Sequence, residues 1–462
     1  MREVSVAERT LEPAADESQR KRELRAVVIA VLCIAMLKLG FVLVLVSGFK
    51  DQINPLYSIG NVDNYYSLAK NISHGRGYRF TPDTTLTLMR EPGYPYFLAV
   101  LVHEFDDYHR AAAIANLLLT SLAALLIFKL SRLLTSIAWV AVVAPVLYML
   151  HPGVIVAELR TGVEVPFTFL ALIFLILLRY AVFSNSWAAY VKAGIALGVT
   201  AYVRSTALLF PTFLIAYGLL CHRDWRSVLL YAWRAALVLA CALLVLSPWI
   251  VRNYMLVGKF VPTASVQGVA MQAGNYLCVH ADGKKEFVDL DFEAAEARKK
   301  LATEQGYRFQ GDYYQLFYDP HDEVKFNSFL GAQVVQQYIQ SPATFVKCAS
   351  ENVFNFWFQG KNRSTTMANI AIQSFYLVLA LAGIFLGFRE MNKPTLWLLL
   401  LFVVYTMGVY VPIHAQARYS IPIMPILSIL AAISLCKFLG RVFGRDAADV
   451  CGPTPVDAPA PG

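Results

Sequence analysis

Among the polar residues of this 462-residue chain, Asp63 is the carboxylate best placed to do chemistry, in the run Asn61-Val-Asp63-Asn-Tyr-Tyr-Ser-Leu-Ala-Lys-Asn71 just after the first long apolar stretch. An ionised carboxylate at a membrane surface can accept the proton of an alcohol as that alcohol attacks an activated carbon. Tyr65, Leu68, Ala69 and Ile72 follow the i, i+3, i+4, i+7 spacing of a helix, so the spacing predicts a short amphipathic helix here. With Asn61 as its N-cap, Asp63 falls in the first turn, where the helix dipole favours the ionised form. A residue that only caps or charges a helix start would occupy the same place, and spacing does not choose between the two.

Arginines supply the second half of the chemistry. Arg90 and Glu91 lead into Pro92-Gly-Tyr-Pro95. Arg90 can grip a phosphate through two parallel hydrogen bonds, or form a solvated pair with Glu91. Arg204 lies between two apolar runs. An unpaired arginine at mid-membrane costs about 2.5–3.5 kcal/mol on insertion scales, so an outer turn with an anion beside it is the better placement. Arg252 and the pair Arg418-Tyr419 stand at further span ends, either holding the same anion or anchoring the spans. Glu158, Arg160 and Glu164 flank the run Leu159–Val165, and Glu164, which opens an apolar span, is either a rim residue or an acid aimed inward at a site. With Asn64, Tyr65 and Glu91 the two glutamates form the set expected to shape the acceptor side. Lys38 lies within the first apolar run and must face the bundle or a partner. Aromatic residues, 13% of the chain, suit stacking on sugar rings or an interfacial belt.

The elements that must hold these groups are membrane helices. The chain is 57% hydrophobic and 16% charged, against roughly 25% charged in soluble domains. About ten apolar runs approach the roughly 20 residues needed to cross a bilayer: 26–47, 110–130, 136–150, 165–178, 188–203, 205–220, 228–250, 370–387, 394–411 and 420–438. Residues 94–105 are also apolar but too few to cross, and suit an interfacial helix. With ten spans, Lys129, Arg132, Arg179, Arg226, Arg389, Lys393 and Lys437 share one side, as the positive-inside rule asks. Counting 94–105 as a span would invert every later loop. The fold class expected is therefore an all-α polytopic membrane protein with surface helices in its first outer loop and a mostly helical outer domain. The expected parts are a cytoplasmic tail at 1–25, a membrane core at 26–250 that includes the outer loop 48–109, an extracytoplasmic domain at 251–369, further spans at 370–440, and a proline-rich, disordered cytoplasmic tail at 441–462. Residues 26–47 read as a retained span rather than a signal peptide.

The net charge of +8 flanks the spans, which argues against nucleic acid as a partner. Seven cysteines lack CxxC or Cys/His spacing, which disfavours a zinc site. Cys278 and Cys348 share the outer segment and read as two free thiols, with pairing the alternative.

At these residues the chain resembles the C-type (GT-C) glycosyltransferases, and among them bacterial relatives of protein O-mannosyltransferases and of the lipid A aminoarabinose and galacturonic acid transferases. The resemblance is carried by Asp63-Asn-Tyr-Tyr-Ser-Leu-Ala-Lys-Asn-Ile-Ser-His-Gly75, Arg90-Glu-Pro-Gly-Tyr-Pro-Tyr-Phe-Leu98, Glu164-Val-Pro-Phe-Thr168, Pro248-Trp-Ile-Val-Arg-Asn-Tyr254 and Arg418-Tyr-Ser-Ile-Pro422. It implies an inverting transferase; the ten-span topology puts its site on the non-cytoplasmic face. Missing endoplasmic-reticulum cues with the modest length lean towards a bacterial inner membrane, the site facing the periplasm or cell exterior. The donor would be a polyprenyl-phosphate sugar, with Asp63 as base, and the acceptor a lipid, glycan or protein. The resemblance leaves a divalent metal optional. Many members carry a second acid after the first, where this chain has Asn64. Two rivals stand beside this reading. A transporter or flippase of lipid-linked saccharides should keep polar groups at mid-membrane, and a non-catalytic envelope assembly protein would not need Asp63.

Overall fold

The computed structural model describes residues 17–48 and 62–442, apart from residues 138, 223, 282, 284 and 313. Asn61 and the greater part of both expected tails lie outside the described residues. The helices run α1 (Glu17–Gly48), α2 (Tyr65–Ser73), α3 (Gly93–Glu104), α4 (Tyr108–Leu134), α5 (Val140–Leu150), α6 (Pro152–Glu158), α7 (Glu164–Ser184), α8 (Trp187–Val203), α9 (Phe213–His222) and α10 (Trp225–Val257). Then come α11 (Gln267–His280), α12 (Phe287–Glu304), a hairpin of β1 (Phe309–Gln310) and β2 (Leu316–Phe317), α13 (Pro320–Gln340), α14 (Pro342–Phe358), α15 (Arg363–Gly387), α16 (Lys393–Tyr410) and α17 (Met424–Val442).

Each of the expected apolar runs contains helix, although 136–150 becomes helical only at Val140 and 205–220 opens with two short 3-10 turns before α9. Among the described residues eight helical stretches are long and apolar enough to cross a membrane; α5 and α6, bent by 59°, form a ninth only if taken together, and α8 is a shorter apolar helix. Ten spans is thus an approximate count. The run 94–105 is α3, twelve residues long, and it packs on α2 through an edge-on contact of Tyr94 with Tyr65, ring centres 5.1 Å apart. The outer segment is mostly helical, although α10 runs on through Arg252 and α15 begins at Arg363.

Close approach of backbones, rather than side-chain size, sets several helix contacts, as expected where lipid tails are as apolar as leucine. Gly194 and Gly198 let α8 press on α10. A Cβ on Gly198 would lie 2.6 Å from the Cβ of Val245 and 2.9 Å from the Ala242 carbonyl. Gly93 plays the same part for the first outer loop, because a Cβ there would meet the Tyr202 carbonyl at 2.7 Å. At the end of the bundle remote from Asp63, Asn392 N–H donates to the Leu134 carbonyl. Arg132 pairs with Glu23 at 3.2 Å and Lys437 with Glu390 at 2.5 Å.

Cys278 and Cys348 are joined as a disulfide, which corrects the expectation of free thiols. The helices α11 and α14 bring together two residues 70 positions apart, a proximity that no local spacing reports.

Gly198→Ala should destabilise the protein by about 1–3 kcal/mol through overpacking. Gly40→Ala, on α1 where an added Cβ meets nothing within 4 Å, should be neutral or slightly stabilising. Thermal unfolding of the two detergent-purified variants checks this, and equal melting temperatures would contradict the packing described.

Candidate active site

The backbone makes the site before any side chain does. Asp63 and Asn64 both adopt left-handed conformations, φ 63° and 60°, a region that Asp and Asn tolerate better than most residues because their short side chains bond locally. Helix α2 therefore starts at Tyr65 with Asn64 in the cap position, and Asp63 precedes the helix instead of lying in its first turn as expected. The left-handed step turns the Asp63 carboxylate away from the helix and towards the bundle end.

Three side chains meet that carboxylate. Arg90 Nη2 donates to Oδ1 at 3.2 Å, and Arg90 Nε donates to the Asp63 carbonyl at 3.1 Å. The Tyr314 hydroxyl donates to Oδ1 at 3.1 Å. Arg418 Nη1 reaches Oδ2 at 3.4 Å. Behind them, Glu164 stands 3.9 Å from both Arg204 Nη1 and Arg418 Nη1. Arg204 lies over the rings of Tyr410 and Tyr419, and these two rings stack 4.4 Å apart. Arg418 Nη2 donates to the Tyr419 hydroxyl. Gly162 leaves room for Glu164, since a Cβ there would lie 2.5 Å from Oε2.

Charge explains the state of these groups. Burial works to raise the Asp63 pKa, but the charges of Arg418 and Arg90, the Tyr314 hydrogen bond and the more distant Arg204 outweigh it and hold the carboxyl well below the usual carboxylate range. Asp63 is ionised, and in this arrangement it is a weak base. Burial pushes the Tyr314 phenol up, so it keeps its proton and acts as a donor. Arg160 and Lys361 stand close enough to Arg418 that, after burial, its charge counts among the causes lowering their own pKa values. Arg90, Arg204 and Arg418 outnumber Asp63 and Glu164, and a positive surplus with a buried, unpartnered Arg418 Nε suits an anion.

Several residues expected at the site lie elsewhere. Arg252 donates to the Thr87 carbonyl at 2.9 Å and lies over the Trp249 and Tyr78 rings. It supports the first outer loop and does not face Asp63. Glu158 takes both its oxygens to Lys38 Nζ, at 2.9 and 3.0 Å, forming a second buried polar cluster. Glu91 accepts from the Ser205 N–H at 3.1 Å and hydroxyl at 2.6 Å, tying the outer loop to the chain that carries Arg204. Tyr65 sits beside Arg90, 5.8 Å from ring centre to guanidinium carbon. Two contributors carried no sequence signal. Tyr314 comes from the hairpin loop of the outer domain. Glu323 accepts from the Ser265 and Thr87 hydroxyls at 2.6 Å and from Leu88 N–H at 2.9 Å, fastening that domain to the segment just before Arg90.

The residues do not fit a divalent metal. Among the described residues no group of three or more His, Cys, Asp or Glu stands together. Asp63 and Glu164 already face guanidinium groups, whereas a hard cation needs about six oxygen ligands.

Residues 89–251 match the family model described as dolichyl-phosphate-mannose-protein mannosyltransferase. No curated protein sequence matches the chain. Among solved structures it is similar to the Archaeoglobus fulgidus oligosaccharyltransferase AglB in complex with an inhibitory peptide and a dolichol-phosphate. That match has 14% identity and a TM-score of 0.52, and covers 95% of this chain and 53% of that one. A second structure of the same organism's oligosaccharyltransferase, tethered with an acceptor peptide through a disulfide bond, matches with 14% identity and a TM-score of 0.51, covering 94% and 52%. The chain thus spans about half the length of the archaeal enzyme. The fold is the GT-C glycosyltransferase fold, set in an integral, multi-pass membrane protein.

The two arginine environments separate by experiment. Hydrogen bonds to charged groups contribute about 1.5–3 kcal/mol, so Arg418→Ala should weaken the binding of an anionic phosphate ligand at this cluster by roughly 10- to 150-fold. Arg418→Lys should recover only part of that, because it loses the planar fork. Arg252→Ala should lower the melting temperature and leave affinity within about twofold in the monodisperse fraction. Affinity loss at Arg252 with none at Arg418 would reverse the assignment.

Proposed function

We propose that this protein is a membrane glycosyltransferase that moves a sugar from a polyprenyl-phosphate donor to an acceptor hydroxyl. The observation that carries the reading is the Asp63 carboxylate held between Arg90 and Arg418 at one end of an apolar bundle. There a lipid chain can lie along the helices while its phosphate meets arginines. Support for the donor class comes from the matched family description and from the dolichol-phosphate bound by the archaeal enzyme.

The reaction follows from the atoms. The acceptor oxygen attacks the anomeric carbon, its proton passes to Asp63, and the bond from that carbon to the phosphate oxygen breaks with inversion. Arg418 and Arg204 neutralise the charge that develops on the leaving phosphate. Asp63 is a poor base while Arg418 pairs with it. An incoming donor phosphate competes for Arg418, and as that guanidinium turns to the phosphate the carboxylate regains basicity. The base is thereby strengthened only when a donor is bound. The residues expected to shape the acceptor side divide: Asn64 adjoins Asp63 and Tyr65 sits beside Arg90, Glu164 lies behind Arg204 and Arg418, Glu91 ties the outer loop to Ser205, and Glu158 belongs to the separate pair with Lys38.

Lys129 and Arg132 of α4, Arg179 of α7 and Lys393 of α16 lie towards the helix ends remote from Asp63, which supports a site on the extracytoplasmic face, with a bacterial inner membrane as its setting. A reporter fused after Arg389 should then read cytoplasmic, and an external signal would reverse the orientation. Transport fits less well. The polar pair deep in the helices, Lys38 with Glu158, is closed on itself and buried, so it offers no path for a saccharide.

Asp63→Asn keeps size and polarity but removes the base. With donor lipid and acceptor membranes supplied, transfer should fall by about 10²- to 10⁴-fold while donor binding persists. Near wild-type turnover in this variant would end the assignment of Asp63 and favour a docking or assembly role.

A further inference from the structure

Asp63 presents two chemically different oxygens. A carboxylate oxygen has two lone-pair directions. Those of Oδ1 are taken by Arg90 Nη2 at 3.2 Å and the Tyr314 hydroxyl at 3.1 Å. Among the described residues, Oδ2 receives one longer approach, that of Arg418 Nη1 at 3.4 Å. The open position is on Oδ2, and it widens if Arg418 turns to a phosphate.

Tyr314 is brought there by a built device. It lies 251 residues from Asp63 in sequence, in the loop between β1 and β2. Gly311 turns that loop with φ 87°, and a Cβ on it would meet the Tyr314 carbonyl at 2.7 Å. Arg298, buried in α12, donates from Nε to Gln315 Oε1 at 3.1 Å and from Nη1 to Gln272 Oε1 at 2.7 Å. Gln315 Nε2 donates in turn to the Asp312 carbonyl at 3.0 Å. At the tip, the Tyr314 ring lies against the Arg90 guanidinium, 4.9 Å from ring centre to carbon. One residue thus fixes both the carboxylate and one of its arginines, and it does so from the outer domain.

We propose that Tyr314 is a positioning residue for transfer: by occupying Oδ1 it leaves Oδ2 as the one oxygen that takes the acceptor's proton, and it excludes water from the other. This rests on the glycosyltransferase reading above. When Oδ1 is freed, a water can dock there, lose its proton to the carboxylate and attack the same anomeric carbon. The phosphate leaves as before, but the product is free sugar instead of a glycosylated acceptor. The outer domain thereby sets the partition between transfer and hydrolysis.

The test compares Tyr314→Phe, Tyr314→Ala and Asp63→Asn with the wild-type protein. Donor lipid comes from membranes of cells lacking the protein, and the same membranes serve as acceptor. Released polyprenyl phosphate gives total turnover, and labelled sugar is separated into acceptor-bound and free fractions. Tyr314→Phe keeps the ring against Arg90 and loses only the hydroxyl. It should lower kcat for transfer by about tenfold or more, as misorientation does, leave the donor KM within about twofold, and raise the free-sugar fraction. A role in packing alone predicts that Phe restores wild-type behaviour while Ala does not, and that result overturns the proposal. A drop in melting temperature of Tyr314→Phe that accounts for its lost activity overturns it as well. If Asp63→Asn is inactive and Tyr314→Phe is normal, only this inference falls. If Asp63→Asn is active, the reading of Asp63 as base falls with it.

Discussion

An anion half-buried at the end of an apolar bundle needs cations, and the pairing of Asp63 with Arg90 and Arg418 is the constraint around which the rest of this structure is arranged. Each arginine must itself be made tolerable. Arg90 has the Tyr65 and Tyr314 rings, Arg418 has Tyr419, and Arg204 has Tyr410 and Tyr419 with Glu164 beyond. These partners come from α2, the outer hairpin, the ends of α7 and α16, and the turn before α17, and Arg204 itself follows the end of α8. The helix ends must therefore meet at one place. Gly93 and the Glu91–Ser205 bonds bring the first outer loop onto the end of α8, and Glu323 binds the outer domain to the same loop.

Buried ion pairs of this kind are weak evidence for stability, because desolvation offsets much of the attraction. In the function proposed above, their value is that they can be exchanged. A donor phosphate brings one negative centre into a group with surplus positive charge, so Arg418 can change partners without any charge being left alone. The left-handed backbone at Asp63 and Asn64 carries strain of order 1–3 kcal/mol each for ordinary residues, and less for Asp and Asn. Such a step persists where surrounding contacts over-determine it, and here three side chains do so.

Much of the architecture was legible from periodicity and length. Apolar runs became helices where expected, and the run 94–105 became a surface helix because twelve residues cannot cross a bilayer. Asp63, Arg90, Arg204, Glu164, Arg418 and Tyr419 were legible as residues out of place near a membrane, and the structure brings them together. What sequence spacing could not show are the contacts made by folding. Arg252 looked like its fellow span-end arginines, yet α10 runs straight through it and turns it to the Thr87 carbonyl. Glu158 was expected on the acceptor side, yet it pairs with Lys38, 120 residues away in sequence. Asp63 was displaced from the helix because a left-handed pair leaves no mark in hydrophobic spacing. Tyr314 and the disulfide depend on separations of 251 and 70 residues, which local pattern does not encode.

The central claim is that one arginine serves Asp63 at rest and the donor phosphate in the complex. An experimental structure of the protein with polyprenyl phosphate bound tests it most directly. The account predicts that the phosphate lies within hydrogen-bond distance of Arg418, that the Arg418 Nη1 approach to Asp63 Oδ2 is lost, and that Arg90 and Tyr314 stay on Oδ1. A phosphate bound elsewhere, with Arg418 still on Asp63, would contradict it.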